Sequence, residues 1–237
     1  MFIVRFFQMG GLFMFPIALT LAVGLAIAFE RWVQLKRDTA ANKNLWDLLY
    51  PTLVKGEFDK AREIANKDKS SMAQMLGMGL ARQGAVRRRE DIEIAMEESM
   101  MEIVPQLEKR TPYLALLSNI ATLFGLLGTI MGLIQAFTAV ASASPAEKAA
   151  LLAASIAEAM NCTAFGLMSA IPLLLLHARL TTITGQIVNG MEMASVKALN
   201  TISNFTKRQF DPAPFDRSPI LSGANLTGAD HAQTISQ

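Results

Sequence analysis

The stretch Phe124-Gly-Leu-Leu-Gly-Thr-Ile-Met-Gly-Leu-Ile-Gln-Ala-Phe137 decides the fold of this chain. It is apolar enough to lie in lipid, and yet it carries Gly125, Gly128, Gly132 and a lone Thr129. Small residues let a second helix backbone approach closely, which is a common way for helices to associate within a bilayer. The stretch therefore predicts a membrane helix that packs tightly against a neighbour.

A second apolar stretch downstream carries one carboxylic acid, Glu158, followed by Asn161, Thr163 and Gly166. Charged side chains are costly inside a membrane and usually face protein or water. Two lipid-length helices with small residues and a few placed polar groups thus predict packed helices around a polar path.

The composition of the chain is typical of a membrane protein. Of its 237 residues, 51% are hydrophobic, and the mean hydropathy is +0.31. A helix needs about 20 apolar residues to cross a bilayer, and three stretches reach that length: 11–32, 114–141 and 151–176. The sequence therefore predicts an all-α membrane protein with three transmembrane helices. The basic residues are not interleaved with aromatic ones, so we expect no nucleic-acid partner.

The positive charges predict the orientation of these helices. Of 22 Lys and Arg residues, 14 fall between Lys36 and Arg110, and five lie between Arg179 and Arg217. Only Arg5 precedes the first span, and only Lys148 lies between the second and third. Because positive residues collect on the cytoplasmic side, we expect the N-terminus outside and the C-terminus inside.

These patterns divide the chain into seven segments, with long helical extensions on the cytoplasmic side. They are an N-terminal segment with the first span (1–35), a cytoplasmic helical domain (36–111), the second span (112–141), a periplasmic loop (142–150), the third span (151–178), a cytoplasmic helix (179–209) and a disordered tail (210–237). Short amphipathic helices are expected within 56–84, and the next helix should run into the second span with Pro105 and Pro112 as bends only.

Two local features could be read in more than one way. Ala26-Ile27-Ala28 resembles a signal-peptide cleavage site, but the apolar run is long and cationic residues follow it, so we expect the segment to remain as the first span. The basic run 87–89 could touch anionic lipid headgroups, although a solvated helix face is the simpler interpretation. Cys162 is the single cysteine, so no disulfide can form within the chain.

The small residues of the second span form one stripe. They recur every three or four positions, which is the spacing of one helix face: Ser118, Thr122, Gly125, Thr129, Gly132 and Ala136. For Gly125, Gly128, Gly132 and Gly166 the simplest role is helix packing. Thr129 could serve packing alone, or it could present its hydroxyl to water or to the carboxylate of a partner.

Glu158 also admits two interpretations. It lies about two turns inside the outer boundary of the third span, where it could be a hydrated carboxylate at a helix end. Asn161 and Thr163 add polarity deeper in the same span, which favours a place in or near an ion route.

Three segments together resemble the MotA/TolQ/ExbB proton channel family, closest to its ExbB and TolQ branches. They are Gly10-Gly-Leu-Phe-Met-Phe-Pro-Ile17 running to Glu30-Arg31, the stretch from Phe124 to Phe137, and Ile156-Ala-Glu-Ala-Met-Asn-Cys-Thr-Ala-Phe-Gly-Leu-Met-Ser-Ala-Ile-Pro172. The cytoplasmic Gly56-Glu-Phe-Asp-Lys-Ala61 fits as well, and the resemblance covers about residues 8–205.

The resemblance implies a homopentamer in the bacterial inner membrane whose second and third helices line a pore. The pore would hold two copies of a single-span partner of the ExbD/TolR type, whose membrane Asp carries protons. By motif position, Thr129 and Thr163 would line the path beside that Asp, and Glu158 would be the acid of the pore-facing third helix. The motor would act on a TonB- or TolA-like protein that spans the periplasm.

One departure and several alternatives stay open. Asn161-Cys162 stands where small apolar residues are commoner in the family, and family branches serve outer-membrane transport, envelope maintenance or surface gliding. A membrane scaffold that moves no ions and an autonomous channel are the competing hypotheses. No nucleophile–base pair, metal-ligand cluster or phosphate loop is evident in the sequence, so we expect no enzymatic activity, no metal and no cofactor.

Overall fold

The computed structural model describes residues 11–83 and 89–210, with side chains as far as residue 205. Its regular elements in these ranges are six helices: α1 (Met14–Val54), α2 (Phe58–Lys67), α3 (Ser71–Arg82), α4 (Arg89–Glu108), α5 (Pro112–Ser142) and α6 (Lys148–Phe210). Windows long and apolar enough to cross a membrane lie in α1, in the α4–α5 pair and in α6. The prediction of an all-α fold with three membrane-length helices is confirmed.

Helix α1 continues well past its apolar part and has 41 residues. The helix changes character without a break, because its second half is amphipathic and buries Leu45, Leu49 and Leu53 at intervals of four. It ends at Val54, two residues before Gly56, whose φ of +77° is a conformation that favours glycine. The ring of Phe205, near the end of α6, lies against this glycine.

The junction between α4 and α5 corrects one prediction. Pro105 lies inside α4, as expected, but α4 ends at Glu108, and Pro112 is the first residue of α5. Proline is favoured at that first position because its missing N–H would have no helical partner there. Between the helices, Arg110 adopts a φ of 67°, and its guanidinium pairs with Glu30 of α1 at 2.6 Å.

The main hydrophobic core lies at the charged end of the molecule. There the second half of α1 packs with α2, α3, α4 and the distal half of α6. Its largest fully buried side chains include Leu45, Leu49, Leu53, Met75 and Leu76. The two short helices expected within 56–84 are α2 and α3, and they cover one side of this core.

The third apolar span belongs to one unbroken helix of 63 residues, with Pro172 in its interior. The prediction that this helix continues beyond the span is therefore confirmed. Arg87 and Arg88, part of the basic run interpreted as a solvated helix face, lie outside the described residues, as do residues 211–237 of the predicted disordered tail. Phe210 itself is the last residue of α6.

Candidate functional site

The site is built where α5 crosses α6 at two glycines. A Cβ atom on Gly125 would lie 3.3 Å from the Cα atoms of Gly166 and Thr163. A Cβ on Gly166 would lie 2.9 Å from the carbonyl oxygen of Ala121. The two backbones are therefore in direct contact, and the absence of side chains at these positions permits it.

The other two glycines named from the sequence extend this contact. A Cβ on Gly132 would meet the methyl of Ala159 at 2.8 Å. Gly128 lies against Cys162 of α6, and its Cβ position is 3.3 Å from the Cβ of Phe13, just before α1 begins. Around this point Ile17, Ala121 and Cys162 form a small buried cluster, so three helices meet here.

The backbone contact brings the two predicted threonines together. The hydroxyl of Thr129 is hydrogen-bonded to the hydroxyl of Thr163. Both hydroxyls also reach the carbonyl oxygen of Gly125, Thr163 at 2.9 Å and Thr129 at 3.1 Å. Two hydroxyls and one carbonyl thus form a polar cluster, the threonine pair, between two apolar helices. Both side chains are only partly buried, so the pair opens to the surface of the subunit.

A serine forms a second polar connection further along the same interface. The Ser118 hydroxyl donates to the carbonyl oxygen of Ala170 at 2.9 Å, and Ser118 is 1% exposed. The Ser118 hydroxyl is buried between the two helices, whereas the threonine pair is only partly buried. The two sites therefore differ in what they can do: Ser118 can only hold the helices together, but the threonines can also meet water or another protein.

Glu158 lies elsewhere on α6. Its carboxylate contacts Gly11, which has a φ of +73° and comes just before α1. Glu158 is five residues from Thr163, and successive helix positions turn by about 100°, which separates the two side chains by about 140° around α6. Within one subunit the acid is exposed and faces the beginning of α1, away from the threonine pair.

Asn161 is also separate from the threonine pair. It stands two positions before Thr163, about 160° away around the helix, and it is partly buried. Its side chain makes no hydrogen bond to residues 11–83 or 89–205. Of the four residues predicted to share a path, the structure brings two together in a single subunit.

Arg31 is a further polar residue of α1 whose environment the sequence did not reveal. It lies at the end of the first apolar stretch, and it is only 3% exposed. Its guanidinium donates to the carbonyl oxygen of Leu107 and to Oε1 of Gln34, the latter at 2.8 Å. Leu107 is 76 positions away, so no local pattern could have indicated this burial.

Comparison with known proteins finds a matching family and similar relatives. The model of the MotA/TolQ/ExbB proton channel family matches residues 67–193. The Tol-Pal system protein TolQ of Haemophilus influenzae is 34% identical over 121 residues, 51% of this chain and 51% of that protein. A biopolymer transport protein of Synechocystis, ExbB-like 1, is 30% identical over 190 residues, 76% of this chain and 71% of the relative.

The two alignments cover different shares of the relatives' lengths. This chain spans about half the length of TolQ and about seven tenths of the ExbB-like protein. The matched family region contains α3 to α5 and most of α6. It therefore includes the threonine pair and the glycine crossing, and it begins after α1.

Proposed function

The chain belongs to the MotA/TolQ/ExbB proton channel family, and from this premise we propose that it is a membrane subunit of a motor driven by the proton-motive force. It would conduct ions together with a single-span partner of the ExbD/TolR type, two copies for each pentamer. It would pass mechanical work to the periplasm or outer membrane, through a TonB- or TolA-like protein. We place it in the bacterial inner membrane with its N-terminus outside, and assign it no covalent chemistry.

The threonine pair is the observation that carries this proposal. A hydroxyl can donate one hydrogen bond and accept others. With their hydrogens directed at Gly125 and at each other, the two threonines can accept from a protonated carboxyl group or from water. To bind an ionised carboxylate, one hydroxyl would rotate its hydrogen away from Gly125. An unpaired charge costs a few kcal/mol at the centre of a membrane helix. Hydroxyl groups at that depth lower this cost for a partner's carboxylate or for water.

Self-assembly is supported by the part of α6 that follows the predicted third span, 151–178. One face of this helix and α1 line a groove of about 270 Å³ that contains Lys43 and Lys197. The opposite face of α6 and α4 line a groove of about 750 Å³ that contains Glu93, Glu97 and Glu192. Basic and acidic grooves on opposite sides of one subunit suit a head-to-tail ring, in which each copy presents a different face to each neighbour.

Glu158 would act between subunits or at the outer mouth of the path. Its side chain is exposed and lies against the chain entering α1. In this position its charge would attract cations towards the path without taking part in the threonine cluster. Asn161, on another face of α6, would meet a neighbouring subunit or the partner.

The decisive experiment is ion flux from reconstituted vesicles that contain this chain with its single-span partner. Replacing both hydroxyls (Thr129→Ala with Thr163→Ala) should reduce proton flux about a hundredfold or more, because each hydrogen bond to a charged group is worth about 1.5–3 kcal/mol and about 1.4 kcal/mol corresponds to tenfold in rate. The matched control is Thr138→Ala with Thr182→Ala, on the same two helices. Those hydroxyls are exposed and bond only within their own helix, and their removal should leave flux unchanged.

The same assay separates the alternatives. A scaffold that moves no ions predicts no flux even with the partner present, and an autonomous channel predicts full flux without it. Flux that survives the double threonine change in an intact assembly would contradict the role given to the pair. A stator of a gliding motor would show the same flux, and deletion of the gene followed by surface-motility assays would identify that branch.

A further inference from the structure

A polar cavity lies beside Arg31, where α1 leaves its apolar stretch. It has a volume of about 520 Å³ and lies between α1, the segment before α3 and the end of α4. Six charged side chains line it, four cations and two acids: Arg31, Arg37, Lys67, Lys69, Asp38 and Asp68. We call it the Arg31 cavity. Cations therefore outnumber acids two to one in its lining.

Both acids of the cavity accept hydrogen bonds from residues at the beginning of α3. Asp38 accepts hydrogen bonds from the backbone N–H of Ser71, at 3.4 Å, and from its hydroxyl. Asp68 accepts from the backbone N–H of Ser70 at 2.7 Å. These bonds hold the beginning of α3 in place and fix the position of both carboxylates. Both keep their negative charge, so the four cations and two acids of the lining leave an excess of two positive charges.

The first N–H groups of α3 are also used within the protein. Met72 donates to the side-chain oxygen of Asn42 at 3.0 Å, and Ala73 donates to the hydroxyl of Ser70 at 3.3 Å. The helix end therefore has little capacity left to hold an anion. Any anion in the cavity would have to be recognised by the cationic side chains.

Some hydrogen-bond donors of the cationic side chains are not used within the described part of the protein. The buried Nε of Arg31 has no hydrogen-bond partner in the part of the chain that the structure describes. Arg37 and Lys69 are exposed and form no ion pair there, and Lys67 pairs at 2.7 Å with Glu63 of its own helix. A buried N–H without a partner destabilises the folded protein, so an acceptor in the cavity would remove a penalty that the free protein carries.

A neighbouring cavity extends the positive region. It has a volume of about 310 Å³, shares Arg31 with the first and adds Lys109 and Arg110. Its one acid, Glu30, is paired with Arg110. Arg31 therefore stands between two polar spaces whose acids are all engaged.

Position along the chain indicates where the anion comes from. Arg31 lies at the end of the apolar stretch of α1, next to Trp32, whose ring centroid lies 4.3 Å from Nζ of Lys36. Aromatic and cationic residues of this kind mark the headgroup layer of a membrane. Guanidinium and ammonium groups bind phosphate oxygens through short, charge-assisted hydrogen bonds.

We propose that the Arg31 cavity binds a phosphate group, supplied either by the headgroup of an anionic lipid in the adjacent leaflet or by a soluble phosphate compound. Arg31 would donate from within the cavity, and Arg37 and Lys69 would close over the group from its rim. The proposal requires α1 to cross the membrane but does not rest on ion conduction. A bound lipid here would fix the depth of α1 in the bilayer.

The test measures thermal unfolding of the full-length protein, stripped of lipid in detergent. One arm titrates inorganic phosphate against sodium chloride at matched ionic strength. The other places the protein in nanodiscs of phosphatidylcholine with or without phosphatidylglycerol. The test variant is Arg37→Gln with Lys69→Gln, which removes two exposed rim cations. The matched control is Lys60→Gln with Arg62→Gln, two exposed cations of α2 that do not line the cavity.

Inorganic phosphate or phosphatidylglycerol should raise the unfolding temperature of the wild type and of the control pair. The rim pair should need about tenfold more of the same probe for an equal rise in unfolding temperature. Stabilisation by phosphatidylglycerol alone identifies a lipid, whereas stabilisation by inorganic phosphate identifies a soluble compound. Arg31→Lys keeps the charge but removes Nε, and should also weaken binding. The proposal is overturned if neither probe stabilises the wild type, or if the rim pair and the control pair respond alike. Proton flux is measured separately, so a failure here leaves the motor proposal untouched.

Discussion

Two interfaces of this molecule are built from opposite kinds of residue. Where α5 crosses α6 in the apolar region, the buried residues of α5 include Ser118, Ala121, Gly125, Gly128 and Ala136. Where α1 packs with α2 and α3 at the charged end, the large buried side chains of α1 and α3 are leucines and methionines, and α2 contributes Ala61 and Ala65. The difference reflects the solvent: lipid gives no hydrophobic gain for burying a large side chain, so close backbone contact holds the helices together. In water, burial of apolar area provides the stabilisation.

The largest expected effect comes from filling the glycine crossing. Gly166→Leu would drive a side chain into the carbonyl of Ala121 and the Cα of Gly125, both about 3 Å from the first added atom. We expect the folded protein to lose roughly 4 kcal/mol or more, since a backbone cannot move aside as a flexible side chain can. Unfolding in mild detergent, followed by circular dichroism, measures the loss.

Gly185→Leu is the matched control on the same helix, because a Cβ at Gly185 would meet nothing within 4 Å. This change should be neutral or slightly stabilising, as leucine favours a helix by roughly 0.5–1 kcal/mol over glycine. Equal destabilisation by the two variants would mean that glycine matters here for reasons other than contact between α5 and α6.

The next effect tests the other interface by removing a large side chain. Leu49→Ala in α1 deletes a fully buried side chain of the core and should cost about 3 kcal/mol through lost burial and the cavity left behind. Leu48→Ala, one position along, removes a side chain that is 65% exposed and should cost less than about 0.5 kcal/mol. Chemical denaturation in micelles would compare the two, and similar losses would contradict a water-type core at this end.

The smallest effect is expected at the ion pair that joins the two regions. Glu30 and Arg110 approach to 2.6 Å, but their side chains are 52% and 48% exposed. Glu30→Gln should therefore cost less than about 1 kcal/mol, and the cost should shrink as salt is added. Glu63→Gln, which breaks an exposed pair within α2, is the reference. A salt-independent loss of several kcal/mol at Glu30 would show that the junction depends on this pair.

Sequence reasoning succeeded where the signal is local and periodic. Apolar length predicted the three membrane helices, and the spacing of Gly125, Thr129 and Gly132 indicated one face of α5. Reasoning failed where partners are distant in the chain. The contact of Arg31 with Leu107 and that of Glu158 with Gly11 depend on how α1 lies against the other helices, and helix periodicity does not contain that information.

The junction before α5 shows a different limit. Both prolines interrupt a helical pattern, and whether a proline ends a helix depends on its neighbours. Pro105 is tolerated inside α4, whereas Pro112 follows a turn at Arg110 that is held by Glu30 across the fold. The sequence predicts the break only if that tertiary partner is already known.

The unbroken α6 has a mechanical consequence. At 1.5 Å per residue its 63 residues form a rod about 95 Å long, with Thr163 near one end and the core residues Ala198 and Leu199 near the other. Because no loop interrupts the helix, a tilt or rotation of α6 at Thr163 would also displace Ala198 and Leu199 in the core. Pro172 lies nine positions from Thr163 and lacks one backbone hydrogen bond. Since sharp helix kinks usually occur at proline, we expect α6 to bend most easily there.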